Sequence, residues 1–216
     1  MKTVVVFGGS GGLGSKVVEI LKDTYNVISL SSKDVDVSNY VAIETFFENN
    51  KPEIVINLTG VNFDMFIHKI NQSSLTNIDK QIDINIKGTI NIISNCLKYM
   101  RESQFGRIIT ISSVLAEKPV ISTGVYAGCK GFIDSFVKTV GLENSSKNIS
   151  CNSIQLGYFD GGLTYKIPET FREQVLNTIP ANRWGSIQEL TNLIEFLINT
   201  PYVTGTNIKI NGGIDF

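Results

Sequence analysis

Histidine is almost missing from this chain, with His68 the only one in 216 residues, so multi-histidine metal sites and most Ser-His-Asp arrangements lose their support. Cysteine is scarce as well. Cys96, Cys129 and Cys151 are odd in number and form no CxxC pair, which signals neither a disulfide framework nor a zinc site. The expectation is a reduced, cytoplasmic protein without a metal. Neither sign of charge is in excess, because 19 Lys plus Arg face 20 Asp plus Glu. That balance argues against nucleic acid, and against an electrostatic membrane anchor, as the main partner. Long apolar runs are lacking too: the start Thr3–Phe7 is broken by Gly8 and Gly9, too soon for a signal segment and far too soon for a membrane span. With 42% apolar residues the chain can bury one substantial core but is short for two full domains, so one domain over residues 1–216 is expected.

What is present is alternation. Apolar runs of strand length alternate with longer amphipathic segments from end to end, the pattern of helices covering both faces of a parallel sheet, and the fold class read from it is doubly wound α/β. The spacing predicts strands over residues 3–7, 26–30, 54–58, 107–112, 150–155 and 207–210. It predicts helices over 13–21, 40–49, 74–100, 124–142, 169–177 and 187–199. The stretch from Asn26 to Lys51 has no room for an extra helix and strand, so six strands are expected, with Asp34–Val37 at most a vestigial one. The segment from Gly157 to Pro180 reads as flexible.

The run Gly8-Gly9-Ser10-Gly11-Gly12-Leu13-Gly14 follows a strand and opens a helix. Glycines there permit a tight turn and let backbone N–H groups approach a pyrophosphate at the helix N-terminus. Several glycine registers fit at once, so the loop alone does not select a nucleotide-binding subtype. After the second strand an NAD-selecting fold would place Asp or Glu for the ribose 2′-OH, whereas this chain reads Ser31-Ser32-Lys33. That favours a 2′-phosphate, hence NADP(H), with NAD(H) left open and a solvated Lys33 the plainer alternative. Asp36 could meet the adenine amino group or serve the start of the next helix.

Tyr126 and Lys130 lie four residues apart in a helical pattern and share a face. At about 4 Å and an effective dielectric near 20, an ammonium attracts a phenolate by roughly 4 kcal/mol. That is on the order of three pKa units and would bring a phenol close to neutral, fit to exchange a proton with a carbinol or carbonyl oxygen. Ser113 ends an apolar strand thirteen residues before Tyr126 and could bond the same oxygen. Asn85 is polar at a helical position where an apolar residue would pack, and could hold a water leading to Lys130.

These elements together resemble the short-chain dehydrogenase/reductase family, over residues 2–213, and within it single-domain members similar to the 3-oxoacyl-carrier-protein reductases. The family's glycine signature falls on Gly8, Gly12 and Gly14, its Asn-Asn-Ala-Gly element on Asn57-Leu58-Thr59-Gly60, and its tetrad on Asn85, Ser113, Tyr126 and Lys130. The resemblance implies a Rossmann-like sheet and hydride exchange with a carbonyl or alcohol, Tyr126 moving the proton and Lys130 also bonding the nicotinamide ribose. It adds Val37, Asn57, Gly60, Gly157 and Phe159 to the cofactor side of the site, and it implies a homodimer or homotetramer. The chain departs from the family at Phe7, at Leu58-Thr59, at Leu156-Gly157, and at Gly161, which displaces a customary Thr.

Other conspicuous residues read more plainly. His68, among Phe66, Ile67 and Ile70, is a surface or partly packed histidine; Trp184 is a packing anchor before a helix; Cys129 is a small packing residue. Two other functions compete with the NADP(H)-dependent oxidoreductase. A nucleotide-sugar reductase or epimerase would use the same Tyr and Lys, yet only about 60 residues remain after Gly157 for a substrate domain. A dinucleotide sensor would have no need of Ser113, Tyr126 and Lys130.

Overall fold

Three consecutive valines crowd a helix but suit a pleated strand. In the computed structural model, which describes residues 1–214, they form the centre of β1 (Thr3–Phe7). The remaining strands are β2 (Asn26–Leu30), β3 (Ile54–Asn57), β4 (Gly106–Ser113), β5 (Ile149–Leu156) and β6 (Asn207–Ile210). They make one sheet in the order β2-β1-β3-β4-β5-β6, every pair parallel. The chain therefore leaves β1 toward β2 and crosses back to β3 on the other side. The carboxyl ends of β1 and β3 form the switch point where such sheets bind ligands.

The helices are α1 (Gly14–Leu21), α2 (Tyr40–Asn49), α3 (Gln72–Ile82), α4 (Gly88–Ser103), α5 (Gly124–Asn144), α6 (Glu169–Leu176) and α7 (Ile187–Asn199). Strand alternation splits the core in two. Val5 and Phe7 pack with Ile43, Phe47, Ile92 and Ile133 from α2, α4 and α5. Val4 and Val6 pack with Val17 and Leu21 of α1 and with Leu190, Ile194, Leu197 and Ile198 of α7, whose spacing is one helical stripe. Both faces are covered, which is why the strands read as continuous apolar runs rather than alternating ones.

One expectation changes. The segment predicted as one helix from Ser74 to Met100 is interrupted by a π turn, Asp83–Lys87, between α3 and α4. The Thr89 hydroxyl donates to the Asn85 carbonyl at 2.8 Å, and Gly88 lies so close to Val37 that a Cβ there would come within 2.7 Å of the valine side chain. The extra residue of the turn turns Asn85 inward without ending the helix. The segment from Gly157 to Pro180 carries a 3-10 turn (Gly162–Lys166) ahead of α6, the helix expected over residues 169–177. Asp34–Val37 forms no strand. Instead Asp36 accepts from the Ser38 N–H and hydroxyl at 2.9 and 2.7 Å, and Asn39 caps α2.

Candidate active site

The turn after β1 is built for close approach. Gly8 adopts φ +79°, and the Gly8 and Gly9 N–H groups donate to the Leu30 carbonyl at 2.9 and 3.0 Å, fastening the loop to β2. A Cβ on Gly14 would run into the Gly8 carbonyl, so helix α1 can start this near the strand only with glycine there. Ser10, Gly11 and Gly12 are exposed over the N-terminus of α1, beside Leu13. A groove of about 740 Å³ opens here, lined by Gly8, Ser10 and Gly11, by Ser31, Ser32, Asp36 and Val37 after β2, and by Leu58, Thr59 and Gly60 after β3. A glycine cradle at a helix N-terminus with a groove across the switch point fits a dinucleotide.

At the far end of the groove the charges differ from expectation. Lys33 is exposed and lies outside the lining, while Lys80, Asp79 and Asp83 form part of the facing wall. Asp34 folds back: its carboxylate accepts from the Ser31 N–H at 2.8 Å and from the Ser31 hydroxyl at 2.6 Å. Those bonds, with Lys33 nearby, hold the Asp34 carboxyl below its ordinary pKa. A carboxylate thus stands after β2, contributed by a residue that sequence spacing did not single out.

Five side chains converge at the end of β3 and β4. Asn57 ties the strand to α4, donating to the Thr89 hydroxyl at 3.2 Å and accepting from Thr59, so its work is scaffolding. Asn85 clamps the backbone of Val61, accepting from its N–H at 3.0 Å and donating to its carbonyl at 2.8 Å. Gly60 sits between that clamp and the lysine, since a Cβ on it would lie 3.4 Å from Asn85 Oδ1 and 3.5 Å from Lys130 Nζ. Ser113, the last residue of β4, lies beside the Tyr126 hydroxyl, and its own hydroxyl accepts from the Leu115 N–H at 3.2 Å. Lys130 lies with its Nζ 5.5 Å from the centre of the Tyr126 ring and donates to the Ile111 carbonyl at 2.8 Å.

The titration of this pair corrects the near-neutral phenol read from spacing. Burial pushes the Tyr126 phenol well above its ordinary value, with Ser113 pulling it down and Asp64 and Cys129 pushing it further up. Burial also brings the Lys130 ammonium down to about 8, with Cys129 and Asp134 opposing. The protein's own groups therefore present a protonated phenol, ready to donate, above an ammonium that is close to giving up its charge.

The profile of the family described as Enoyl-(Acyl carrier protein) reductase matches residues 4–215. The chain belongs to the short-chain dehydrogenase/reductase family. It is an NAD(P)-dependent oxidoreductase acting on carbonyl and alcohol groups. Carbonyl reductase family member 4 of Xenopus tropicalis is 25% identical over 99% of this chain and 98% of its own. The 3-oxoacyl-[acyl-carrier-protein] reductases of Aquifex aeolicus (strain VF5) and Pseudomonas aeruginosa are 26% and 27% identical, over 98% and 92% of this chain and 87% and 81% of theirs.

Where this member departs from the family pattern, packing gives the reason. Phe7 stacks edge-on against Phe46, 5.7 Å between ring centres, and Thr59 replaces a small residue while bonding Asn57. Gly157 lies against the end of β6 rather than in the groove: its N–H donates to the Ile210 carbonyl at 3.0 Å, and a Cβ there would meet Asn211, just past the strand, at 2.7 Å. Phe159 likewise turns into the core, 2% exposed and seated on Gly185. Gly161 and Gly162 pack on Leu13, while Thr164 accepts from the Phe159 N–H at 3.3 Å. His68 is exposed beside Phe66, and Trp184 packs edge-on against Tyr158. The residues missed from sequence are Asp34, Lys80 and a buried polar group around Asp134. The only advance signal was that Asp134 falls four residues after Lys130. Among the described residues no cluster of three metal-ligating side chains occurs, and no helix is long and apolar enough to cross a membrane.

Proposed function

We propose that the chain reduces a ketone or oxidises the matching alcohol with Tyr126 as the proton donor and acceptor, in the cytoplasm and as a homodimer or homotetramer. The observation that carries the reading is the Lys130 Nζ held 5.5 Å from the centre of the Tyr126 ring, with Ser113, Asn85 and Gly60 packed beside the pair at the groove's end. Bound nicotinamide supplies or accepts the hydride. Gly8, Ser10, Gly11, Gly12, Leu13 and Gly14 would hold the pyrophosphate, Gly60 and Val37 would flank the nucleoside, and Lys130 would take the nicotinamide ribose.

In the reducing direction Ser113 and Tyr126 both bond the substrate oxygen. As negative charge builds there, Tyr126 gives up its proton, and the alcohol leaves neutral. The raised phenol pKa suits this direction, since the acid stays protonated until the alkoxide forms. Lys130 stabilises the phenolate left behind, and Asn85 fixes the Val61 backbone that borders the site. The family resemblance to carrier-protein and carbonyl reductases supports a compact carbonyl substrate. Tyr158 and Trp184, meeting edge-on, give the post-β5 segment an apolar side. The three free, buried cysteines support the reducing compartment.

NADP(H) is the favoured cofactor, its 2′-phosphate meeting the hydroxyl of Ser32 and the ammonium of Lys33. NAD(H) is the second reading, and the Asp34 carboxylate on Ser31 favours it, because an acid at this point suits a 2′-OH and repels a phosphate. The test is oxidation of NADPH and NADH by purified protein with a panel of ketones, alongside Tyr126→Phe. The variant should lose activity by about 10²–10⁴-fold while still quenching or shifting cofactor fluorescence. A Tyr126→Phe protein that turns over ketones like the parent would end the proposal.

A further inference from the structure

The sheet face under α5 changes character along its length. Near the start of β4 and β5 it is apolar, with Ile108, Ile149 and Cys151 in the core. Toward the carboxyl ends, beside Ser113, the same face carries Thr110, Ser112, Ser153 and Gln155, each at most 1% exposed. Polar side chains in the covered interior of a parallel sheet cost desolvation and persist where they hold something. Here two of them hold a carboxylate. Asp134, 6% exposed, accepts from the Ser153 hydroxyl at 2.8 Å and from the Gln155 amide at 2.6 Å. The same Gln155 nitrogen donates to Glu117 at 3.0 Å, and Glu117 pairs with Lys209 at 2.7 Å, so the group is anchored outward to β6.

Asp134 stands one helical turn beyond Lys130 on the inner face of α5. Lys130 is 2% exposed, and the acceptor on its ammonium is the neutral carbonyl of Ile111. The groups around the ammonium are Tyr126 and Cys129 on α5 and Gly60 after β3 beside Asn85 of the π turn, all uncharged in their ordinary states, while the Ser112 hydroxyl of β4 donates to the Lys130 main-chain carbonyl. From β5 come only Ser153 and Gln155. Asp64, the other carboxylate that bears on the site, acts on Tyr126 and not on the lysine.

We propose that Asp134 is a positioning residue for Lys130: its carboxylate, pinned by Ser153 and Gln155 one helical turn away, keeps the buried ammonium charged while the Ile111 carbonyl holds it in place. The proposal rests on the functional reading above, in which charged Lys130 supports the phenol. Burial opposes that charge; Cys129 and then Asp134 oppose burial, and Asp134 is the carboxylate of the two. It works through Lys130, with no contact to the reacting atoms.

The test is the pH profile of kcat/KM for ketone reduction by Asp134→Asn. The substitution keeps shape, and its amide can meet the otherwise unpartnered Gln155 Oε1, so the fold has a replacement bond. Without the carboxylate the ammonium is lost at lower pH, so the alkaline limb should move down by about one unit, and the deficit should grow by about tenfold across that limb. Gln155→Leu, which removes one bond holding Asp134, should move the limb the same way by less, and it serves as the reading if the Asn variant does not fold. A uniform loss at every pH with the limb in place, or a profile like the parent's, overturns the proposal. Failure of the catalytic reading itself would show separately, as undiminished turnover by Tyr126→Phe.

Discussion

Asp34 and Lys33 follow β2 side by side and bear on the cofactor with opposite charge. Lys33 stands in the open, whereas Asp34 is fixed on Ser31 by two hydrogen bonds. Lys33→Ala should raise KM for NADPH more than for NADH, and Asp34→Asn should lower KM for NADPH. Both charges are exposed and screened by solvent, so each change should be within about fivefold. Equal effects on the two cofactors would remove 2′-phosphate recognition from both residues. This corner also shows what spacing can and cannot carry. Tyr126, Lys130, Ser113 and Asn85 were legible because each sits at a fixed offset within an element whose face is known. Asp34 was not, since its role comes from a side chain bending back three residues within a turn. Asp134 was hidden for a different reason: its partners Ser153 and Gln155 belong to another strand, and only the register of β4 on β5 brings them beneath α5.

At the level of elements, all six strands and most helices were legible from apolar runs bounded by Gly, Asn and Ser, while the π turn was not. Its cause is tertiary, the close passage of Gly88 past Val37 and the grip of Asn85 on Val61, and periodicity carries no trace of either. Helix α7 shows local chemistry that does act alone. Ser186 accepts from the Glu189 N–H at 3.2 Å and Glu189 accepts from the Ser186 N–H at 2.8 Å, a reciprocal cap. Ser186→Ala should cost about 1 kcal/mol and lower Tm by roughly 2–4 °C. Glu189 also pairs with Arg183 at 2.6 Å, and that bond, followed by the Ser186 N–H, holds its carboxyl down at about 2. A depressed carboxyl stabilises the fold above its unfolded pKa, and the contribution fades as pH falls from about 4.5 to about 2. Glu189→Gln should therefore be less stable than the parent near neutral pH, with the gap closing across that acid window in thermal melts. The pair is 39–59% exposed, so solvent screens it and the gap is small.

Over the whole molecule, the two covered faces of the sheet stabilise the fold, while the carboxyl edge is filled with groups that a stable core would avoid. Lys130 is the clearest of them. It is among the largest fully buried side chains, and its ammonium sits at about 8 against an ordinary 10.5 even with Asp134 in attraction. That gap corresponds to about 3 kcal/mol of stability given up at neutral pH. The folded lysine binds its proton less tightly than the unfolded one, so between about 8 and 10.5 the unfolded chain holds more protons and stability rises with pH. Lys130→Met keeps the stem and removes the charge. It also leaves the Ile111 carbonyl without its donor, a loss of about 1–3 kcal/mol. The net should be a gain of about 1 kcal/mol near pH 7, or roughly 2–4 °C in Tm, together with loss of turnover. Because the parent recovers its deficit as the lysine deprotonates, the advantage of the variant should shrink above about pH 8 and reverse near pH 10, where only the orphaned carbonyl remains. Melting both proteins across that range decides the matter: a variant less stable by the same margin at every pH would mean that the buried ammonium carries no net burden and that function at this site was obtained without loss of stability.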